Sequence, residues 1–281
     1  MSPQNRQTIE VLQVETTNYC NAHCIFCAYD QIEKHGTMSD RLYTKILKDA
    51  TKLETPPQTF IPMLTGEPFL DRQMVERIKE ARAALPHTEI HLYCNGSKLT
   101  EGIIKKLAEV PNFHINISAN GASVETRKRL TGLGDYEYVA RMIDCADAHH
   151  ISHSVSLVQH PSITKEEEED FNRRWGKATS SSSCRSPYVF QHLNFAGLTH
   201  KKVKTNFTYC PHATSHMTVL WDGRVNLCCM DPLGRKIFGD LNQQTVAEVW
   251  LCEERQRYAA MHKEGRGTEC EVCRDCNILC F

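Results

Sequence analysis

Three closely spaced cysteines, Cys20, Cys24 and Cys27 in TTNYCNAHCIFCAYD, constrain this chain more than any other feature. Their spacing, C-x3-C-x2-C, lets one short loop wrap three corners of an iron-sulfur cube and leaves the fourth iron without a protein ligand. Cysteine thiolates ordinarily hold such clusters four at a time, so a tight set of three points to a small molecule that completes the coordination. A zinc knuckle, the plainer reading, pairs two C-x2-C-like halves. The nearest further cysteine here is Cys94, far along the chain and followed by an Asn-Gly turn.

The 281 residues, 41% of them hydrophobic, suffice for one large α/β domain and a smaller unit. A net charge of -1 implies no broad basic face, so nucleic acid is not an expected partner. No basic leader with an apolar core opens the sequence, and no apolar run approaches the ~20 residues that cross a bilayer. The expectation is a cytoplasmic chain with no membrane partner. In reducing cytosol structural disulfides are rare, so fourteen cysteines point to metal ligation.

From Glu10 to Glu15 apolar and polar residues alternate and run into the cysteine loop, which predicts a first strand with that loop at its C-terminal end. Ser39 is a candidate N-cap for a helix in which Leu42, Ile46 and Leu47 recur at helical spacing. Further strands are predicted at Phe60 to Leu64, Ile90 to Cys94, Phe113 to Ser118, Ile151 to Val158 and Tyr188 to Leu193. Between them fall helices at Arg72 to Ala84, Thr100 to Ala108, one ending near Ala148, and Lys165 to Trp175. Strands separated by helices call for parallel pairing with right-handed crossovers. Six such units predict an α/β fold, a partial (β/α)6 TIM-like barrel open at one side, with ligands at the C-terminal ends of its strands.

The loops at those ends are informative. Thr65-Gly66-Glu67-Pro68 follows the second strand, Tyr93-Cys94-Asn95-Gly96-Ser97 ends the third, Ser118-Ala119-Asn120-Gly121 the fourth, and Asn194-Phe195-Ala196-Gly197 the sixth. Each alone is an ordinary turn. In this order behind the cysteine loop they resemble the radical S-adenosylmethionine (SAM) enzymes, over nearly the whole chain. The resemblance implies that Phe26 fills the aromatic place before the last cysteine, and that Thr65, Gly66 and Glu67 hold the methionine amino group of the cofactor. It also implies that Asn95 sits in the family's Asn-Gly turn, that Ser118 contacts the ribose or carboxylate, and that Asn194 and Gly197 form a turn near the adenine. Glu15 and His160, at the ends of the first and fifth strands, are candidates for binding substrate or moving a proton, with a hydrogen-bonded wall position as the other reading. Cys94 is a candidate thiol. Arg129 in RKRLTG reads as an exposed helix arginine, the acidic run Glu166 to Asp170 as a solvated helix face, and the serines from Thr179 to Ser183 as a loop beside an unexplained Cys184.

Eight of the fourteen cysteines lie from Cys210 onward. Asp222-Gly223 between two alternating runs is a hairpin signal that places Cys228 at the end of the second run. A helix through Val246, Val249 and Trp250 toward Met261 follows, and Cys270, Cys273, Cys276 and Cys280 crowd the end. This layout resembles the SPASM or twitch auxiliary-cluster extension, with GRVNLC matching its Gly-x4-Cys element. The resemblance implies a barrel over 1-205 and an extension over 206-281 that holds one auxiliary 4Fe-4S cluster on Cys210, Cys228, Cys270 and Cys273, with Cys276 as an alternative ligand. The gap from Cys276 to Cys280 resembles the end of the full SPASM pattern, which leaves a second cluster open, and four thiolates also suit zinc. Cys229 and Cys252 read as spare thiols.

The family resemblance further implies a 4Fe-4S cluster on Cys20, Cys24 and Cys27, SAM as its partner, and an electron donor such as flavodoxin or ferredoxin. The implied chemistry is reductive cleavage of SAM to a 5'-deoxyadenosyl radical that takes a hydrogen atom from the substrate. The expected outcome is oxidation or epimerisation of a carbohydrate, aminocyclitol or similar small polar molecule, because no separate N-terminal peptide-recognition domain is evident. Modification of a ribosomally made peptide is the alternative. A two-cluster electron-transfer protein is the alternative of another class, and it gives no reason for TGEP, Ser118 and NFAG to appear in barrel order.

Overall fold

A computed structural model of the chain describes residues 8–176, 188–199 and 209–278. The alternating run at the start forms β1 (Val11–Val14), with Leu12 and Val14 buried. There follow α1 (Asp40–Ala50), β2 (Thr59–Ile61), α2 (Met74–Ala84), β3 (Glu89–Cys94), α3 (Glu101–Ala108), β4 (Phe113–Ile117), α4 (Val124–Thr131), α5 (Tyr136–Ala148), β5 (His153–Gln159), α6 (Lys165–Trp175) and β6 (Tyr188–Gln191). The helices begin where side-chain oxygens satisfy their orphan amides: Ser39 accepts from Leu42 N, Thr100 from Ile103 N and Ser123 from Thr126 N, and Thr164 with Glu167 closes a capping box. In α1, Leu42, Tyr43, Ile46, Leu47 and Ala50 form the buried stripe that seats the helix on the sheet.

Strands β1 to β6 pair in parallel and in chain order, each joined to the next through helix, as the alternation requires. The ends of the sheet do not meet, so the barrel is partial and open. Differences from expectation are local and have local causes. The second strand stops at Ile61 because Pro62 has no N–H for the ladder. The helix expected to end near Ala148 is two, α4 and α5, because Gly132 turns left-handed at φ 76° and closes α4.

The C-terminal residues add α7 (Pro211–Thr214), β7 (His216–Val219), β8 (Arg224–Asn226), β9 (Ile237–Asp240), α8 (Val246–Trp250) and α9 (Glu253–Lys263). The hairpin forms at Asp222-Gly223, and it extends the barrel sheet. β7 pairs parallel to β1, Leu12 against Met217, and β8 and β9 follow antiparallel, giving a nine-stranded order β6-β5-β4-β3-β2-β1-β7-β8-β9 among the described residues. The expected boundary at 205 and 206 lies outside the described residues. The single helix expected from Val246 to Met261 is interrupted at Cys252, whose extended backbone (φ -61°, ψ 145°) ends one helix and starts the next.

Candidate functional site

The cysteine loop leaves the C-terminal end of β1 and is pinned on both sides. His23 N donates to Thr131 O at 2.9 Å and Ile25 N to Leu130 O at 3.0 Å, which docks the loop on the last turn of α4. Cys20 N donates to the Tyr29 hydroxyl at 2.9 Å, and Glu67 N donates to Tyr19 O at 2.8 Å. All three thiols thereby face one cavity of about 340 Å³, together with Phe26, Thr65, Gly66, Glu67, Asn95 and Ser118. The family resemblance carried these residues separately; the fold brings them to one wall.

Burial pushes the Cys20 thiol up to about 11, and burial followed by the neighbouring thiols raises Cys24 as well. Such groups stay protonated unless a positive charge enters among them, which is what iron supplies. Among the described residues no three His, Cys, Asp or Glu side chains converge tightly enough to hold a single metal ion. Three soft thiols around one cavity fit the donor type that iron-sulfur clusters take. Cys94 shares the cavity wall, but its charged neighbours are Glu67 and Arg127 rather than the three loop thiols.

Beside the cysteine loop the TGEP turn comes unusually close to the backbone just before Cys20. Gly66 sits at φ +81°, and a Cβ there would lie 2.6 Å from Tyr19 O, so only glycine fits. Glu67, 1% exposed, accepts from Asn95 N at 2.7 Å and from Phe69 N at 3.3 Å. Burial raises its carboxyl to about 7, against the pull of those two amides. The Asn95 side chain donates to Asn21 Oδ1 at 3.0 Å, tying this turn to the cysteine loop as well. The site is thus a buried carboxylate, a close-approach glycine and three thiols around one space, suited to a ligand with a cationic amine at one end and iron-binding atoms beside it.

Arg127 organises this wall, and the sequence reading missed it. At 0% exposure it donates to Asp135 Oδ1 at 2.7 Å, Asn95 O at 2.8 Å, Ala119 O at 2.9 Å and Ser118 O at 3.2 Å, so one guanidinium clamps the loops after β3 and β4. Arg129, the arginine singled out from RKRLTG, instead bonds Glu167 through both carboxylate oxygens at 2.7 and 2.8 Å. Tyr93, His192 and Phe195 also line the cavity, and no sequence signal distinguished them from other aromatic positions.

Some candidates lie elsewhere. Glu15 does not face the cysteine cavity. It accepts from Thr65 N at 3.1 Å, from the Thr65 hydroxyl and from Trp221 N at 3.2 Å, and it borders a separate hollow with Trp221 and Asp222. His160 packs against His192 with ring centroids 5.0 Å apart and planes tilted by 51°, and it bonds Ser162 Oγ at 2.8 Å; His192 is the ring on the cavity wall. Asn194 is fully buried, its amide donating to Asp275 O at 2.6 Å while Asn277 N donates to its oxygen at 3.1 Å. Gly197 turns at φ +86° against Asp275. The Asn-x-x-Gly turn therefore anchors the C-terminal segment, and its Phe195 reaches the cavity.

A second set of thiols is buried in one core: Cys210, Cys228, Cys270, Cys273 and Cys276, with Leu227 and Met230 among them. Cys210 precedes α7, Cys228 follows β8, and the last three follow α9, so the β7–β8 hairpin and α9 bring distant thiols together. The set fits a cluster as soft donors buried together, the donor type that iron-sulfur clusters take. Five thiols share this core, so Cys276 stands as close to it as Cys270 does. Cys229 bonds His212 Nδ1 at 3.5 Å and lies within electrostatic reach of Tyr93 on the cavity wall. Cys184 and Cys280 lie outside the described residues.

Fold and site together define a cluster-binding α/β half-barrel with an added thiol-rich unit. Residues 14–173 match the model of the radical SAM superfamily, and residues 210–277 match that of the SPASM iron-sulfur cluster-binding domain. The chain belongs to the radical SAM superfamily and is a radical SAM enzyme with a SPASM domain. It is 31% identical over 139 residues to a probable GTP 3',8-cyclase of Methanocaldococcus jannaschii, a match spanning 47% of this chain and 43% of that enzyme. It is 22% identical over 272 residues to the S-adenosyl-L-methionine-dependent 2-deoxy-scyllo-inosamine dehydrogenase of Niallia circulans, spanning 95% of this chain and 92% of that one. Among solved structures, BtrN in complex with AdoMet and 2-DOIA superposes with a TM-score of 0.66 at 16% identity over 97% of this chain and 94% of that one. Streptococcus suis SuiB bound to precursor peptide SuiA superposes with a TM-score of 0.75 at 12% identity, over 97% of this chain and 70% of that one. No helix among the described residues is long and apolar enough to cross a membrane.

Proposed function

We propose that this chain oxidises a small polar substrate, of the carbohydrate or aminocyclitol kind, after hydrogen-atom abstraction. The observation that carries the reading is the match to an aminocyclitol dehydrogenase along 95% of this chain and 92% of that enzyme, where the cyclase match covers 47% of this chain and 43% of that enzyme. Bound at Cys20, Cys24 and Cys27, a 4Fe-4S cluster with SAM supplies the 5'-deoxyadenosyl radical. The chain's own residues bind and orient. Glu67 receives the amino group, with the Gly66 backbone at its side. Ser118 and Asn95 present polar groups to the cofactor, Phe26 and Phe195 exclude water, and Arg127 keeps the loops in register.

The second thiol set, with Cys210, Cys228 and Cys273 joined by Cys270 or Cys276, would hold one auxiliary 4Fe-4S cluster. Cys229, packed against that set, is within electrostatic reach of Tyr93 on the cavity wall, which supports the auxiliary cluster as the acceptor of the electron that leaves the substrate. A flavodoxin or ferredoxin would supply the priming electron. A second reading rests on Cys94, a buried thiol on the same wall, which could return hydrogen to the opposite face and give epimerisation. Turnover of candidate polar substrates in deuterated water separates the two. A product lacking two hydrogens supports oxidation, and an isomer carrying solvent deuterium supports epimerisation.

A further inference from the structure

We propose that His262 tunes the auxiliary cluster: its ring N–H, held against the Cys273 sulfur, makes that cluster a readier electron acceptor. The inference rests on the reading of Cys273 as a cluster ligand and adds what the protein does to the cluster once bound. Helix α9 buries one stripe, Arg255, Ala259 and His262, at spacings of four and three residues. His262 is 1% exposed, and its Nε2 lies 3.4 Å from Cys273 Sγ. Gly267 closes over the ring, since a Cβ at that position would stand 2.6 Å from both Cε1 and Nδ1. The imidazole therefore has no room to turn away on that side.

An iron-bound thiolate has no proton to give, so at this contact the imidazole donates and the sulfur accepts. Reduction places added negative charge partly on the ligand sulfurs, and a donor aimed at one of them stabilises the reduced state more than the oxidised one. Hydrogen bonds to cluster sulfurs are among the terms that set reduction potential, and outer partners of this kind tune a metal site as much as they hold it. Burying an imidazole where a leucine or phenylalanine would fill the space costs desolvation that only a hydrogen bond offsets. A cluster that receives an electron during substrate oxidation gains from such a shift.

The test uses the full chain with Cys20, Cys24 and Cys27 changed to alanine, so that only the auxiliary cluster is present. His262→Leu, His262→Phe and His262→Gln are added to it, and each protein is reconstituted anaerobically. Iron content is measured, and the reduced fraction is followed by electron paramagnetic resonance at set potentials. The expected result is equal iron in all variants and, in the Leu and Phe variants, a reduced-to-oxidised ratio about tenfold lower at a fixed potential, or about 59 mV for a one-electron couple. His262→Gln, which keeps an N–H donor, should recover much of the ratio. An unchanged ratio in either apolar variant that holds its iron overturns the inference alone. Loss of iron from both apolar variants also overturns it, because the ring then holds the cluster rather than tuning it. Absence of iron before any change at His262 overturns the auxiliary-cluster reading, and this inference with it.

Discussion

The Glu67 carboxylate accepts the backbone N–H of Asn95 at 2.7 Å, latching the loop after β2 to the loop after β3 over a wall that also carries the three cysteines. With Phe69 N donating to the other oxygen at 3.3 Å, both carboxylate oxygens are held, so the group is oriented before any ligand arrives. Glu67→Gln keeps the size and loses the charge. The folded protein should persist, while SAM affinity drops roughly 10- to 100-fold, as loss of a charge-assisted hydrogen bond of about 1.5–3 kcal/mol implies. Equilibrium dialysis of the reconstituted protein checks this, and undiminished binding would remove the amino-group role.

Arg127 is wholly buried, and its bonds hold both loops that Glu67 and Ser118 depend on. Arg127→Met leaves Asp135 with only the Ser97 hydroxyl and takes this donor from the carbonyls of Asn95, Ser118 and Ala119. The expected loss is about 3–5 kcal/mol in urea unfolding, the size associated with breaking a buried pair. Arg129→Met removes a half-exposed pair with Glu167 and should cost about 1 kcal/mol or less. Equal losses at the two positions would contradict the clamp.

The same pair shows why part of the site was not legible. Arg127 and Arg129 are two residues apart in one basic run, and the sequence gives them equal standing. Successive residues turn about 100° around a helix, so these two point to nearly opposite sides, and which side is buried depends on how α4 lies against the loops. The barrel strands were legible because each is an apolar run ending in turn chemistry, and α6 begins and ends where its cap and acidic first turn place it. The pairing of β7 with β1 was not, since that register links residues some two hundred positions apart and no local pattern encodes it. The burial of Asn194 is hidden from local pattern for a related reason, its partners Asp275 and Asn277 being far along the chain.

Burial raises the Glu15 carboxyl from 4.5 to about 7 despite three donated hydrogen bonds. The sign follows from the folded value lying above the unfolded one. Stability from this group is complete below about pH 4.5, declines as the unfolded chain ionises while the folded one stays protonated, and levels off above about pH 7. The span is about 3 kcal/mol. Glu15→Gln, which cannot ionise, should therefore gain on the wild type by that order between pH 4.5 and pH 8 in urea unfolding. A difference that stays constant with pH would show that Glu15 ionises freely in the fold.

Gly66 lies at φ +81° with Tyr19 O in the place of a side chain. Gly66→Ala must move either the TGEP loop or the backbone just before Cys20. The left-handed conformation alone costs about 1–3 kcal/mol for a residue with a Cβ. Thermal unfolding should report that loss, and SAM affinity should fall with it. Unaltered affinity would mean that the backbone near Gly66 is not part of the cofactor wall.

The central claim is that three cysteines hold a cluster whose open corner takes SAM for reductive cleavage. Anaerobically reconstituted protein, reduced with dithionite and supplied with SAM, measures it through 5'-deoxyadenosine. The account predicts that the wild type forms the nucleoside and that the chain with Cys20, Cys24 and Cys27 changed to alanine forms none. No 5'-deoxyadenosine from wild-type protein whose first cluster is present, or equal amounts from the alanine variant, would contradict it.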